Sequence, residues 1–289
     1  MIDWPVDLVH EFALRRVVLY LGAGVSCHAT SISGDRPPLW GAFLQEAVSQ
    51  LDSDTSGVQR LLNENDYLTA CELILNKMGK VRFAEYARTK FLRPGFQYGE
   101  IHRHIYDLDA RIVATPNVDK IYDTYASTTS SGTIITRSYS DSNIAELLRV
   151  PDQSVIIKVH GTIDDANNMI FTRKQYAEAR YKHSTFYAIL NALALTHTFV
   201  FIGCGYNDPD IRLVLENYAF NFPHCKPHYM LCSEDSVDGD MKTVLQENCN
   251  LEVISYSPIN NHVELTRSLG ALVGLVSEKR DNVALTQKW

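Results

Sequence analysis

The sequence lacks a cysteine framework. Its six cysteines (Cys27, Cys71, Cys204, Cys225, Cys232 and Cys249) are scattered, and no Cys-x-x-Cys pair occurs among them. That spacing argues against a disulfide scaffold, and it offers no zinc signature, because zinc sites usually draw on two close ligand pairs. His224, Cys225, His228 and Cys232 are the one local cluster, and their proline-punctuated segment reads as a loop entering a strand. Long apolar runs are missing too, with nothing near the roughly 20 residues of a membrane helix. Positive charge is in short supply: 27 Lys and Arg against 34 Asp and Glu give a formal charge of −7. Such a balance gives no reason to expect direct nucleic-acid binding. Met1-Ile2-Asp3-Trp4-Pro5 carries an early acid and no basic stretch, so no secretory signal is expected and the chain should be cytoplasmic. Repeats, charge runs and low-complexity segments are absent as well.

What remains is an ordinary globular composition, 45% hydrophobic and 21% charged over 289 residues. That length suits one large α/β domain or two small ones. The pattern is organised around Val17-Val18-Leu19-Tyr20-Leu21, five apolar residues without alternation, as in a parallel strand covered on both faces. Gly22-Ala23-Gly24-Val25-Ser26 follows. Gly22 and Gly24 suit a tight turn and bare backbone that a pyrophosphate could approach, and a helix opening there would offer free N–H groups. Cys27 stands where a dinucleotide fingerprint has its third glycine, so the motif alone is weak.

Pro5 sits at a plausible first helical position, with Leu8, Val9, Phe12 and Ala13 on one face. Residues 31–38 read as a loop placed to cover a ligand. From Leu39 to about Leu92 the apolar period is helical, which predicts a helical insertion, bounded at about 37–110, within a single domain spanning 1–289. Strands are predicted at 111–115, 154–159, 198–202, 228–232 and 251–256, with helices over 173–195 and 262–276. Strands alternating with helices give the fold class: α/β, a doubly wound, Rossmann-like parallel sheet.

Four polar or glycine-rich segments each follow the carboxyl end of a predicted strand: 22–26, 115–119, 160–161 and 203–210. Ligands bind at that edge of open α/β sheets, at the point where strand order reverses. Each residue also has a plain structural reading. His160 could be a strand-end histidine with ordinary partners, Asn117 and Asp119 turn or cap residues, and Asp208 and Asp210 caps of the next helix.

Taken together the segments resemble the sirtuin family. Gly22-Ala-Gly-Val-Ser26 is similar to its Gly-Ala-Gly-x-Ser, Thr115-Pro-Asn-Val-Asp119 to its Thr-x-Asn-x-Asp, and His160-Gly161 to its His-Gly. The resemblance covers about residues 15 to 275. The four zinc-module cysteines of sirtuin deacylases are absent, their Pro-Asp-Phe-Arg is not matched, and Pro116 replaces a glutamine. Gly203-Cys-Gly-Tyr-Asn-Asp-Pro-Asp210 is closer to the Gly-Tyr-Ser-x-x-Asp-Pro-Asp pattern of bacterial sirtuin-like defence proteins, which are NAD hydrolases.

That branch implies an NAD glycohydrolase releasing nicotinamide and ADP-ribose, with NAD as substrate and no metal. The alternatives are an NAD-dependent protein deacylase, or a non-catalytic NAD or ADP-ribose sensor. The resemblance assigns His160 as general base, Asn117 to the nicotinamide ribose or the water, and Asp119 to the nicotinamide amide. It assigns NAD contacts to Gly22, Ala23, Gly24, Ser26, Thr115, Gly203, Gly205, Tyr206, Asn207 and Asp208. It further implies a homo-oligomer paired with a hexameric HerA-type ATPase.

Overall fold

The computed structural model describes residues 1–206 and 208–286. Helix α1 (Val6–Ala13) leads into β1 (Val17–Leu21), and Pro5 caps the helix rather than opening it. A single helical turn, α2 (Ala23–Ser26), follows β1. Then come α3 (Trp40–Val48), α4 (Ser56–Asn63), α5 (Tyr67–Met78), α6 (Lys80–Phe91) and α7 (Glu100–Asp107) before β2 (Ile112–Thr115). The chain continues through α8 (Ile121–Thr129), β3 (Ile135–Ser138), α9 (Ile144–Leu148) and β4 (Val155–Lys158). Next are α10 (Arg173–Lys182), α11 (Ser184–Thr196), β5 (Thr198–Ile202) and α12 (Pro209–Asn221). Strand β6 (His228–Ser233), α13 (Gly239–Cys249), β7 (Leu251–Tyr256) and α14 (Ile259–Thr286) complete the order.

The strands form one parallel sheet in the order β3-β4-β2-β1-β5-β6-β7. β1, β2, β4 and β5 are buried at every position, which is why they read as unbroken apolar runs. One face packs Val18, Tyr20, Phe199 and Phe201 against α10 to α13. The other packs Leu19, Leu21, Val200 and Ile202 against α1, α7 and α14. The result is an α/β/α sandwich whose strand order reverses between β1 and β5.

Helices α3 to α6 gather around Phe43, Leu44, Ile74, Phe83 and Tyr86, a separate cluster that also takes in Val118, Ile163 and Phe171 from beside the sheet's carboxyl edge. Helix α7 differs. Its Ile101 and Ile105 belong to the sheet's own apolar layer. Strand β3 escapes the sequence reading because Ile-Thr-Arg-Ser is short, half-exposed and at the sheet edge. The predicted 173–195 helix is two, broken at His183, and the last helix runs ten residues past 276. The latter begins with Asn260, Asn261 and His262 in left-handed conformations.

Two buried histidines each accept a backbone amide. His102 Nδ1 accepts the Gly99 N–H at 3.0 Å, and His228 Nδ1 accepts the Phe199 N–H at 3.0 Å. Burial lowers both pKa values to about 4. An unfolded chain titrates histidine near 6.5, so it binds more protons than the fold between about pH 4 and 6.5. Stability should therefore rise with pH across that window and be fully present above it. Urea unfolding at pH 5 and 7 should show about 2 kcal/mol lost per histidine at the lower pH. His228→Gln should flatten the dependence by roughly half of the two-histidine total.

Candidate active site

The floor of the site is made where two glycine turns meet. The Gly22 N–H donates to Ile202 O at 2.9 Å, and the Gly24 N–H to Gly203 O at 2.9 Å. A Cβ on Gly22 would lie 2.3 Å from Gly203 O, and one on Gly24 would lie 2.8 Å from Gly203 Cα. Gly203 has φ +66°, and its own Cβ would lie 2.5 Å from Val25 N. Backbone must touch backbone here, so these glycines serve turn-on-turn packing before any ligand arrives. The Gly24 amide is occupied by Gly203 O, and the single turn α2 offers less than the helix the sequence suggested.

A polar net ties the turn after β2 to the turn after β1. Asn117 Nδ2 donates to Gly22 O at 2.8 Å and to Ser26 Oγ at 3.0 Å. Ser26 Oγ donates to Asp119 Oδ2 at 2.7 Å, and Asp119 Oδ1 accepts the N–H of Ile121, the first residue of α8, at 3.0 Å. Thr115 Oγ1 donates to Leu21 O at 2.6 Å and accepts the Asn117 N–H. Ser26, Thr115 and Asp119 are all buried. They lie behind the wall of the crevice, whereas Asn117 lies on it.

His160 lies two residues past the end of β4 and is 4% exposed. The turn after it needs glycine, because Gly161 has φ +82° and a Cβ there would lie 2.3 Å from Asn168 O. His160 Nε2 lies 3.6 Å from Asp210 Oδ2, and its Nδ1 lies 3.4 Å from the Tyr176 hydroxyl. Asp210 also accepts from Arg180 at 2.9 Å and from the Tyr187 hydroxyl at 2.9 Å. Asp208 accepts the Asp210 and Ile211 N–H groups and caps α12. Burial raises the Asp208 pKa, opposed by His160 nearby and reinforced by Asp210. Burial, Asp208 and Asp210 together push the Tyr176 hydroxyl well up, so it stays protonated.

These groups surround a crevice of about 870 Å³ at the switch point, within the usual range for a small-molecule site. Gly22, Ala23, Gly24, Asn117, His160, Gly203, Gly205 and Asp208 line it, joined at one end by Ser233, Ser236 and Tyr256. At the other end Trp40 and Tyr67 reach in from the helical cluster, beside Phe171 and Arg173. Tyr206 packs against the sheet layer instead of the crevice, and Asn207 lies outside the described residues. Tyr176, Arg180 and Tyr187 escape a reading by motif, and Asp210, the last residue of the second glycine motif, reads there only as a cap. Tyr176, Arg180 and Tyr187 sit on helices with ordinary amphipathic spacing. Among the described residues no group of three His, Cys, Asp or Glu side chains is arranged to hold a metal ion.

A doubly wound parallel sheet with paired glycine turns, an asparagine and a histidine on one switch-point crevice defines a sirtuin-like α/β protein. The family model of the SIR2-like domain matches residues 111–254 of the chain. It is 26% identical over 212 residues to the NAD(+) hydrolase ThsA of Cytobacillus dafuensis, covering 72% of this chain and 40% of that protein. Against the ThsA of Enterococcus faecium the identity is 22% over 236 residues, covering 80% of this chain and 44% of the relative. Defense-associated sirtuin 2 of Bacillus subtilis is 21% identical over 285 residues, 94% of this chain and 26% of that protein. The chain thus spans less than half the length of these curated relatives.

The glycine contacts yield a paired test. Gly22→Ala should lower stability by about 2–3 kcal/mol in urea unfolding, because rigid backbone must move aside. Gly205→Ala, on the same crevice, meets nothing within 4 Å and should stay within about 0.5 kcal/mol of the parent.

Proposed function

We propose that this chain hydrolyses NAD at the nicotinamide–ribose bond, releasing nicotinamide and ADP-ribose. The observation that carries the reading is the convergence of Asn117 and His160 on one crevice floored by the two glycine turns. The printed activity of the ThsA relatives agrees with it.

Cleavage of this bond builds positive charge on the ribose while nicotinamide leaves as a neutral group, and water then attacks the same carbon. Both Asn117 amide hydrogens are engaged by protein, and among the described residues its side-chain oxygen meets no donor. That oxygen is the acceptor for a ribose hydroxyl or for the attacking water. Asp210 favours the His160 tautomer with hydrogen on Nε2. In that tautomer Nδ1, beside the Tyr176 hydroxyl, is the basic nitrogen, and the ring serves as the general base. Arg180 and Tyr187 hold the Asp210 carboxylate in place, much as an orienting acid serves other catalytic histidines. Asp119 acts through Ser26 and Asn117 in this reading, and Gly22, Ala23, Gly203, Gly205 and Asp208 contact NAD.

We also place the reaction in antiphage defence, in the cytoplasm, with a homo-oligomer joined to a HerA-type ATPase as the working form. The defence setting rests on the printed names of the relatives, and the assembly on the family resemblance alone. Light scattering of the chain with and without such an ATPase tests the assembly, and a fully active monomer would overturn it.

Incubating the purified chain with NAD and resolving nicotinamide and ADP-ribose tests the reaction, and intact NAD would refute it. His160→Ala should lose about 10²–10⁴-fold in rate. It should unfold at the parental temperature within a few degrees, because the ring packs at the crevice edge. Asn117→Ala should lose about 10²-fold or more in rate. It should also cost about 1–2 kcal/mol, since it joins two turns through two hydrogen bonds.

A further inference from the structure

Beneath the crevice lies an ion pair that the proposed chemistry does not use. Lys158 is the last residue of β4 and is 2% exposed. It points to the same side of the sheet as Ile156, which packs in the layer with Ala126 of α8. Its ammonium lies 3.5 Å from the carboxylate of Asp123 on α8, which is itself buried, and it donates to the backbone carbonyl of Asp119. Burial pushes the Asp123 carboxyl up, while the Lys158 charge pulls it back.

Stability alone is a weak reason for such a pair. Two charges taken out of water lose hydration that their attraction often only matches, and well-packed apolar residues commonly do as well. The position of this pair is more telling. Lys158 stands two residues before His160, and Asp119 two residues after Asn117. Backbone bonds run alongside, from the Val159 N–H to Thr115 O at 2.9 Å and from the Ile163 N–H to Val118 O at 2.9 Å. Lys158 adds the third tie, and it alone of these also reaches α8. One cation thereby joins the end of β4, two residues before His160, the turn that carries Asn117, and helix α8.

We propose that Lys158, countered by Asp123, is a positioning residue that sets the separation of Asn117 and His160 across the crevice. It touches no substrate and acts through the Asp119 carbonyl. The inference rests on the reading that this crevice cleaves NAD.

The test is the double variant Lys158→Met with Asp123→Leu, which removes both charges and leaves no unpaired ion. It should fold and bind ADP-ribose within about threefold of the parent by calorimetry. Its kcat, per ADP-ribose-binding site, should fall about 10- to 100-fold with KM little changed, as expected for misplaced reacting groups. Amide exchange over residues 116–121 should speed up while the sheet stays protected. The single variant Asp123→Asn keeps the lysine on the Asp119 carbonyl and should retain kcat within about threefold. Counting only binding-competent sites keeps partial misfolding from imitating the effect. Parental kcat together with unchanged exchange at 116–121 in the double variant would overturn the proposal. A parent chain that leaves NAD intact would overturn the functional reading instead, and the exchange measurement would still decide whether Lys158 holds the turn.

Discussion

The close contact between the turn after β1 and the turn after β5 is the constraint on which the rest of the structure depends. Two amides, of Gly22 and Gly24, bond carbonyls of Ile202 and Gly203, and no Cβ fits on either side. The contact fixes the β1–β5 pairing at the carboxyl edge, where strand order reverses. A crevice at a switch point forms because the chain leaves β1 in one direction and β5 in the other. The glycines let that opening have a floor of bare backbone.

Polar groups brought this deep must be partnered, and the site answers with three linked nets. Asn117, Ser26 and Asp119 bind the first two turns together. Lys158 and Asp123 brace them from below. Asp210 collects Arg180 and Tyr187 and stands beside His160. Each net crosses between elements far apart in the chain, so the crevice walls hold one another. His160 Nε2 has no hydrogen-bond partner of normal length among the described residues.

The comparisons distribute unevenly along the chain. The SIR2-like domain model covers 111–254, from β2 to β7, and so takes in Asn117, His160 and Asp210 but not the first glycine turn. The helical cluster between β1 and β2 supplies one end of the crevice through Trp40 and Tyr67.

Some of this was legible in the residues alone. Unbroken apolar runs identify strands buried on both faces, and the helical period from Leu39 onward identifies the cluster, because burial acts directly on local pattern. Glycine turns, Asn117 and His160 at strand ends announce a crevice once strands are taken as parallel. Tertiary structure decided the remainder. Ser26, Thr115 and Asp119 belong to the motif yet sit behind the wall, since which side chains face a cavity depends on elements packed around it. Strand β3 exists through pairing with β4, as four half-exposed residues carry little pattern of their own. Asp210, Tyr176 and Lys158 take their meaning from neighbours 16 to 50 residues away, and no spacing in the sequence encodes that meeting. A chain fixes which residues are buried largely by local period, but which polar groups meet is set only when the sheet has closed around them.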